Sequence, residues 1–244
     1  MEKQYINLDR LMKTFEISNS IGKVSDTGIS RLALSNEDKI MRDIFTSWLH
    51  AEGLDVRVDD FGNIYGRREG MRNDLDPVVT GSHLDTQVYG GRYDGILGVL
   101  SALEMIKVLN ENNIQTLRPI EIVNFTNEEG VRFAPGALGS GSITNVFTKE
   151  FAYQIKDKDG YSFGDELKRI GYLGDKKNRL TKAHSYVELH IEQAPVLEDQ
   201  NKSIGIVTGD RGTDWLEITI NGATNHSTST PMSRRKDALF RQQR

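Results

Sequence analysis

The feature that most narrows the fold lies between residues 76 and 125. Asp76-Pro77 breaks the chain, and Val78-Val-Thr-Gly-Ser-His83 reads as a short, largely buried strand. A glycine-rich loop from Gly90 to Gly95 follows, and then Ile96, Val99, Leu100, Leu103 and Ile106 recur at helical spacing. Pro119 to Phe125 is a second apolar strand. Strand, crossover helix and strand make a βαβ unit, which predicts an α/β sheet with its chemistry at the strand ends.

The flanking segments extend this pattern. Leu8, Leu11, Met12 and Phe15 predict an opening amphipathic helix. Ser35 with Asp38 three residues later has the form of a capping box, starting a helix that buries Ile40, Ile44 and Trp48 beside Phe45 and Leu49. Gly53 ends it. Val56 and Val58 alternate as a strand, and Asp59-Asp-Phe-Gly-Asn63 reads as a hairpin turn. The stretch 151–182 is polar and reads as surface, with Ser162-x-x-Asp165 capping a short helix. Tyr186 to Ile191 is a third candidate core strand. After Gly209-Asp-Arg-Gly212 the pattern changes, with Trp215, Ile218 and Ile220 in a strand-like segment, so a domain boundary is expected near 212. Residues 1–211 and 212–244 are the two expected domains.

The 244 residues suffice for one large or two modest domains, and 27% charged against 37% hydrophobic residues fits a globular chain rather than a disordered one. The net charge of −4, with signs interspersed, offers no basic footprint for nucleic acid or an anionic membrane. Small molecules are the expected partners. No run reaches the roughly 18 apolar residues of a membrane span. The amphipathic N-terminus lacks a signal-peptide core, so a cytoplasmic location is expected. With no cysteine, any metal must be held by His, Asp and Glu.

Four segments concentrate the reactive side chains. In Gly81-Ser-His-Leu-Asp85-Thr, His83 and Asp85 are two apart and share a strand face, a spacing that suits an imidazole ligand and the carboxylate that orients it. A solvated pair at a strand end is the other reading. In Gly90-Gly-Arg-Tyr-Asp94-Gly95, glycines let backbone wrap round an ion beside Asp94, although Asp94 could equally cap the next helix. Glu128-Glu129, in Thr126-Asn-Glu-Glu-Gly130, repel unless a cation or shared proton offsets them, or unless both face water. A functional pair would divide into a metal ligand and a general base. Glu188-Leu-His190-Ile-Glu-Gln193 ends the last candidate strand in a His. His50 and His184 lack such context. His226 lies in a polar, turn-like run, Thr224 to Met232. Singly each segment is weak, but His, Asp, Glu and His at successive strand ends form the donor set of a hydrolytic two-metal site.

These residues resemble a family. Ser82-His-Leu-Asp-Thr86, Gly90-Gly-x-x-Asp-Gly95, Asn127-Glu-Glu-Gly-x-Arg-Phe133 and Leu189-His-Ile-Glu-Gln193 are similar, in order and spacing, to the hydantoinase–carbamoylase family. That family comprises N-carbamoyl-L-amino-acid hydrolases, allantoate amidohydrolases and β-ureidopropionases, within the aminoacylase/aminopeptidase clan. Ser30 to Asp38, Phe61-Gly-Asn-Ile-Tyr-Gly-Arg67 and Thr230-Pro-Met232 extend the likeness along almost the whole chain.

The resemblance implies a zinc-exopeptidase type of fold: a mixed central sheet with helices on both faces, plus the start of an α+β lid and dimerisation domain. It implies two divalent ions, Zn, Mn, Co or Ni, held by His83, Asp94, Glu129 and His190, with Asp94 bridging them. Glu128 would be the general base, Asp85 the orienter of His83, Gln193 a substrate contact, and His226 a lid histidine that polarises the scissile carbonyl. Hydrolysis of a linear carbamoyl or ureido C–N bond, in a homodimer, would follow. Ala194, Gly139-Ser-Gly-Ser142 and Asn225-His-Ser-Thr-Ser229 depart from the family's usual residues and bear on substrate identity. Family members also run on past this point, so a truncated product is expected. An inactive remnant that keeps metal binding or dimerisation, and a dipeptidase or deacylase of the same clan, are the alternatives.

Overall fold

A computed structural model describes residues 5–209, 212, 216 and 218–238. The chain divides into two compact units, residues 1–193 and 194–244. The boundary expected near 212 falls inside the second unit, and Asp210 and Arg211 lie outside the described residues.

In the first unit α1 (Leu8–Ser20) is capped by Asn7, whose side chain accepts the Arg10 N–H. It is followed by β1 (Gly28–Ile29). Helix α2 (Asn36–Ala51) starts as expected, with Ser35 Oγ accepting the Asp38 N–H, while the Asp38 carboxylate turns back to the Leu34 N–H. It ends at Gly53, whose φ of +75° lets Leu54 N–H return to Leu49 O. The buried stripe of α2 differs from expectation. Met41, Phe45 and Leu49 are fully buried, Ile44 and Trp48 pack partly, and Ile40 is 49% exposed. The reason is the Asp38–Arg42 ion pair, which occupies the inner face and turns Ile40 outward.

The hairpin of β2 (Asp55–Val58) and β3 (Ile64–Arg68) forms as read, around the 59–63 turn. Next come β4 (Val78–His83), β5 (Gly90–Gly91), α3 (Ile96–Glu111) and β6 (Ile120–Phe125). β5 pairs with β1, and the other strands form a five-stranded sheet in the order β2-β3-β6-β4 followed by β7 (Ser185–Val187). β2–β3 and β3–β6 are antiparallel, whereas β6–β4 and β4–β7 are parallel, so the sheet is mixed. The βαβ unit is therefore present, with α3 bridging two adjacent parallel strands.

Side chains alternate across the pleat. Ile64, Ile120 and Ile122 join the large core built with α1, α2 and α3, while Tyr65, Val79 and Val123 form a small cluster on the other face, flanked by Ile143 at the end of α4 (Leu138–Ile143). After α5 (Lys149–Gln154) comes α6 (Phe163–Ile170), capped by Ser162 as expected. The surface reading of 151–182 does not hold for these helices. Ala152, Phe163, Leu167 and Ile170 are buried, because i, i+4 and i+7 positions of α6 share one face beneath a polar outer one. β7 is also shorter than expected and exposed at all three residues, since among the described residues it forms the sheet's edge and has a partner on one side only.

The second unit holds a short helix α7 (Val196–Asp199) and a 3-10 turn at Met232–Arg234. Ile218 and Ile220 form no strand, because a strand needs a paired ladder and no described residue supplies one, and Trp215 lies outside the described residues.

Candidate metal centre

The site grows from the C-terminal ends of neighbouring parallel strands. β4 delivers His83, β6 runs into the loop that carries Glu128 and Glu129, and the segment after β7 carries His190 and Gln193. His83 is buried, and its Nδ1–H donates to the backbone carbonyl of Asp85 at 2.9 Å. A carbonyl can only accept, so the proton is fixed on Nδ1 and the Nε2 lone pair is free to bind. His190 is arranged likewise, with Nδ1–H donating to Ile191 O at 2.9 Å and Nε2 standing 3.2 Å from Asp94 Oδ1. Gln193 Nε2 donates to the other Asp94 oxygen at 2.7 Å.

Asp94 does not cap α3. Gly95 occupies the cap position with φ +65° and ψ −49°, and the Ile96 N–H bonds to Asp94 O at 2.6 Å. This is the tight, strained γ-turn geometry that an L side chain rarely adopts. A Cβ on Gly95 would stand 2.5 Å from His83 Cδ2 and no farther from Cε1 and Nε2. The loop glycine thus lets the Asp94 backbone run directly under the His83 ring.

Asp85 takes a different position from the expected one. Its carboxylate, fully buried, accepts the backbone N–H groups of Glu128 and Glu129 at 3.2 Å each, while its carbonyl holds His83. Burial raises its pKa to about 6, against the opposing effect of His83 and two backbone hydrogen bonds. Burial works to lower the pKa of His83, but the charges of Asp85 and Glu128 outweigh it and the net shift is upward.

The adjacent glutamates separate. Glu128 is exposed, with Oε2 3.4 Å from His83 Nε2. Glu129 is half-buried, and Gln87 Nε2 donates to its Oε2 at 2.6 Å, leaving its buried Oε1 without a hydrogen-bond partner among the described residues. Burial, with Asp94 and Glu128 nearby, raises the Glu129 pKa despite the Gln87 bond.

Donor atoms of His83, Asp94 and His190 all lie within 4.8 Å of one another. Two imidazoles and a carboxylate, with an unsatisfied carboxylate oxygen on Glu129, suit a borderline divalent ion. The chain's residues fit such a group. Gln87, the Asp85 carbonyl and the ring packing of Gly95 had no local sequence signal as site elements, because each acts through a contact between segments distant in the chain. In the second unit, exposed His226 accepts the N–H groups of Thr228 and Ser229 at Nδ1, at 3.3 and 3.2 Å, so its proton sits on Nε2 as an outward donor.

Comparison with known proteins identifies the family. The chain is 47% identical over 237 residues to an N-carbamoyl-L-amino-acid amidohydrolase of Rhizobium meliloti, covering 97% of this chain and 57% of that protein. An allantoate amidohydrolase of Bacillus subtilis is 34% identical, with coverage of 98% and 59%. A solved amidase of the hydantoinase/carbamoylase family from Burkholderia vietnamiensis superposes with a TM-score of 0.84 at 42% identity, over 96% of this chain and 57% of that one. This chain thus spans somewhat over half the length of the proteins it resembles. The profile of the peptidase family M20/M25/M40 matches residues 71–241, and the chain belongs to that family.

Proposed function

We propose that this chain carries most of the catalytic domain and the start of the lid of a metal-dependent amidohydrolase that cleaves a linear C–N bond in an N-carbamoyl amino acid, allantoate or a related ureido acid. The observation that supports it most is the convergence of donor atoms of His83, His190 and Asp94 beside the Glu128 carboxylate, whose Oε2 stands 3.4 Å from His83 Nε2. The relatives' printed activities support the substrate class.

Two divalent ions, when bound to His83, Asp94, Glu129 and His190, would supply Lewis-acid polarisation of the substrate carbonyl and of the attacking water. Asp94 has one carboxylate oxygen towards His190 and the other hydrogen-bonded by Gln193, so Asp94 would be a holding carboxylate and the Gln193 amide beside it a substrate contact. Glu128 takes the proton from water as its oxygen bonds to the carbamoyl carbon, then gives it to the leaving nitrogen as the C–N bond breaks. General-base groups of this kind contribute about 10²–10⁴-fold to rate. The carbamate so formed decomposes to carbon dioxide and ammonia. His226, with its proton on Nε2, is the second unit's candidate donor to the developing oxyanion. We place the full-length form as a homodimer acting on small molecules. No helix of the described residues is long and apolar enough to cross a membrane.

The test uses the purified 244-residue chain, dialysed and reloaded with Mn, Zn, Co or Ni, with ammonia or amino acid release from N-carbamoyl amino acids and allantoate as readout. Dipeptides and N-acyl amino acids complete the panel. Turnover of the carbamoyl compounds, lost in Glu128→Gln with metal retained, is expected. Turnover unchanged by Glu128→Gln sinks the base assignment, and preference for dipeptides moves the chain to the peptidase branch of its family. Metal bound without any turnover would make it an inactive remnant.

A further inference from the structure

The hairpin turn at residues 59–63 lies in the Phe61-Gly-Asn-Ile-Tyr-Gly-Arg67 segment, to which the reaction above gives no task. Its Asn63 side chain is fully buried, with both polar atoms hydrogen-bonded. Nδ2 donates to Asp59 Oδ2 at 2.8 Å and to Gly139 O at 3.1 Å, and Oδ1 accepts the Thr126 N–H at 2.9 Å. Only one orientation of the amide satisfies all three partners, since the N–H needs an acceptor and the carbonyl and carboxylate need donors.

Thr126 and Gly139 are the two ends of the loop that carries Glu128 and Glu129. One direct backbone bond joins them, Gly139 N–H to Thr126 O at 2.9 Å. Asn63 supplies the second closure, from outside the loop and 63 residues upstream of Thr126. Within the loop, Ala137 N–H bonds to Glu128 O at 2.8 Å, and Asn127 Nδ2 donates to Phe133 O at 2.8 Å, so an error at the closed end is carried towards the glutamates. Asp59 in turn orients the amide, held by the Phe61 N–H and Tyr65 OH at 2.9 Å each. The fit permits no side chain at residue 139. A Cβ there would meet Thr126 N at 2.5 Å and Asn63 Oδ1 closer still.

We propose that Asn63 is a positioning residue for the Glu128–Glu129 loop, fixing the loop's two ends and through them the placement of both carboxylates. The inference deepens the metallohydrolase reading for its functional consequence, although the loop closure itself stands apart from that reading.

The test compares Asn63→Ala with Tyr65→Phe, which removes a buried hydrogen bond to the same Asp59 but touches neither loop end. Amide hydrogen exchange is followed across 126–139 and across β6, and the visible absorption of the protein titrated with Co(II) is recorded. Asn63→Ala should speed exchange at Thr126, Glu128, Glu129 and Ala137 by about tenfold, the worth of one buried hydrogen bond, while β6 keeps its rates. Tyr65→Phe should leave the loop as in the parent. The Co(II) spectrum should change in Asn63→Ala alone, and kcat should fall with KM little altered. If Asn63→Ala proves unfolded, Gly139→Ala perturbs the same contact from the opposite side and should give the same loop-specific pattern. Loop exchange like the parent's in Asn63→Ala, or equal acceleration in both hairpin variants, overturns the proposal. A parent protein that takes up no Co(II) overturns the metallohydrolase reading instead, while the exchange data still decide the role of Asn63.

Discussion

Replacing Gly95 by Ala tests the architecture of the metal centre at one atom. Gly95 has φ +65° and ψ −49°, and a non-glycine residue held in such a region costs about 1–3 kcal/mol. The added methyl would also stand 2.5 Å from His83 Cδ2, where ordinary contact begins at 3.4 Å, so the ring must withdraw by about 0.9 Å. The ring is held on its far side by the Asp85 carbonyl, so it cannot swing away without losing that bond. The two effects together predict a loss of about 2–4 kcal/mol in stability, or roughly 4–16 °C in melting temperature for a domain of this size. Misdirecting a ligand in this way should weaken divalent-metal affinity by about 10–100-fold. Thermal melts with and without Zn or Mn, together with calorimetric metal titration, measure both quantities. A Gly95→Ala protein with the parent's melting temperature and metal affinity would refute the argument that Gly95 is there to let the loop pass beneath His83.

Two further outcomes follow from buried charge. Arg42 and Asp38 are both fully buried and paired at 2.8 Å, and Arg42 also donates to Gly62 O and Thr126 Oγ1. Arg42→Ala should cost about 3–5 kcal/mol in denaturant unfolding because Asp38 is left unpaired, and a loss below about 1 kcal/mol would mean that water or a rearrangement rescues it. Glu166 is hydrogen-bonded by Arg169 and by Arg132, which hold its pKa below the ordinary 4.5 against the effect of burial. A depressed folded-state pKa contributes stability that is present above the unfolded value and lost as pH falls through the folded one. Stability should therefore drop as pH is lowered from about 4.5, and Glu166→Gln should flatten that part of the profile. An unchanged acid limb in the variant would place the acid sensitivity elsewhere.

What the sequence by itself determined is local and periodic. The Ser35 and Ser162 caps, the Gly53 stop and the 59–63 hairpin turn rest on neighbours within about one or two turns of chain, where propensity and spacing act directly, and the βαβ unit was read from three such periodic segments in succession. His83, Asp94, the Glu128–Glu129 pair and His190 could be picked out as candidates because strand ends in an α/β sheet gather at one edge, while the choice of Glu129 as the ligand came from the family resemblance.

Tertiary structure decided the rest. Which face of α2 is buried depended on the Asp38–Arg42 pair finding Gly62 and Thr126, not on the helix's own apolar pattern. The apolar face of α6 is present in its i, i+4, i+7 spacing, but the exposure of β7 depended on what packs beside it, which strand periodicity does not encode. The same holds within the site. Spacing placed Asp85 beside His83, but long-range hydrogen bonds turned its carboxylate to the Glu128 and Glu129 amides and left only its carbonyl for the imidazole. Side-chain direction at such a point is set by competing partners far apart in sequence, and those partners meet only once the chain has folded.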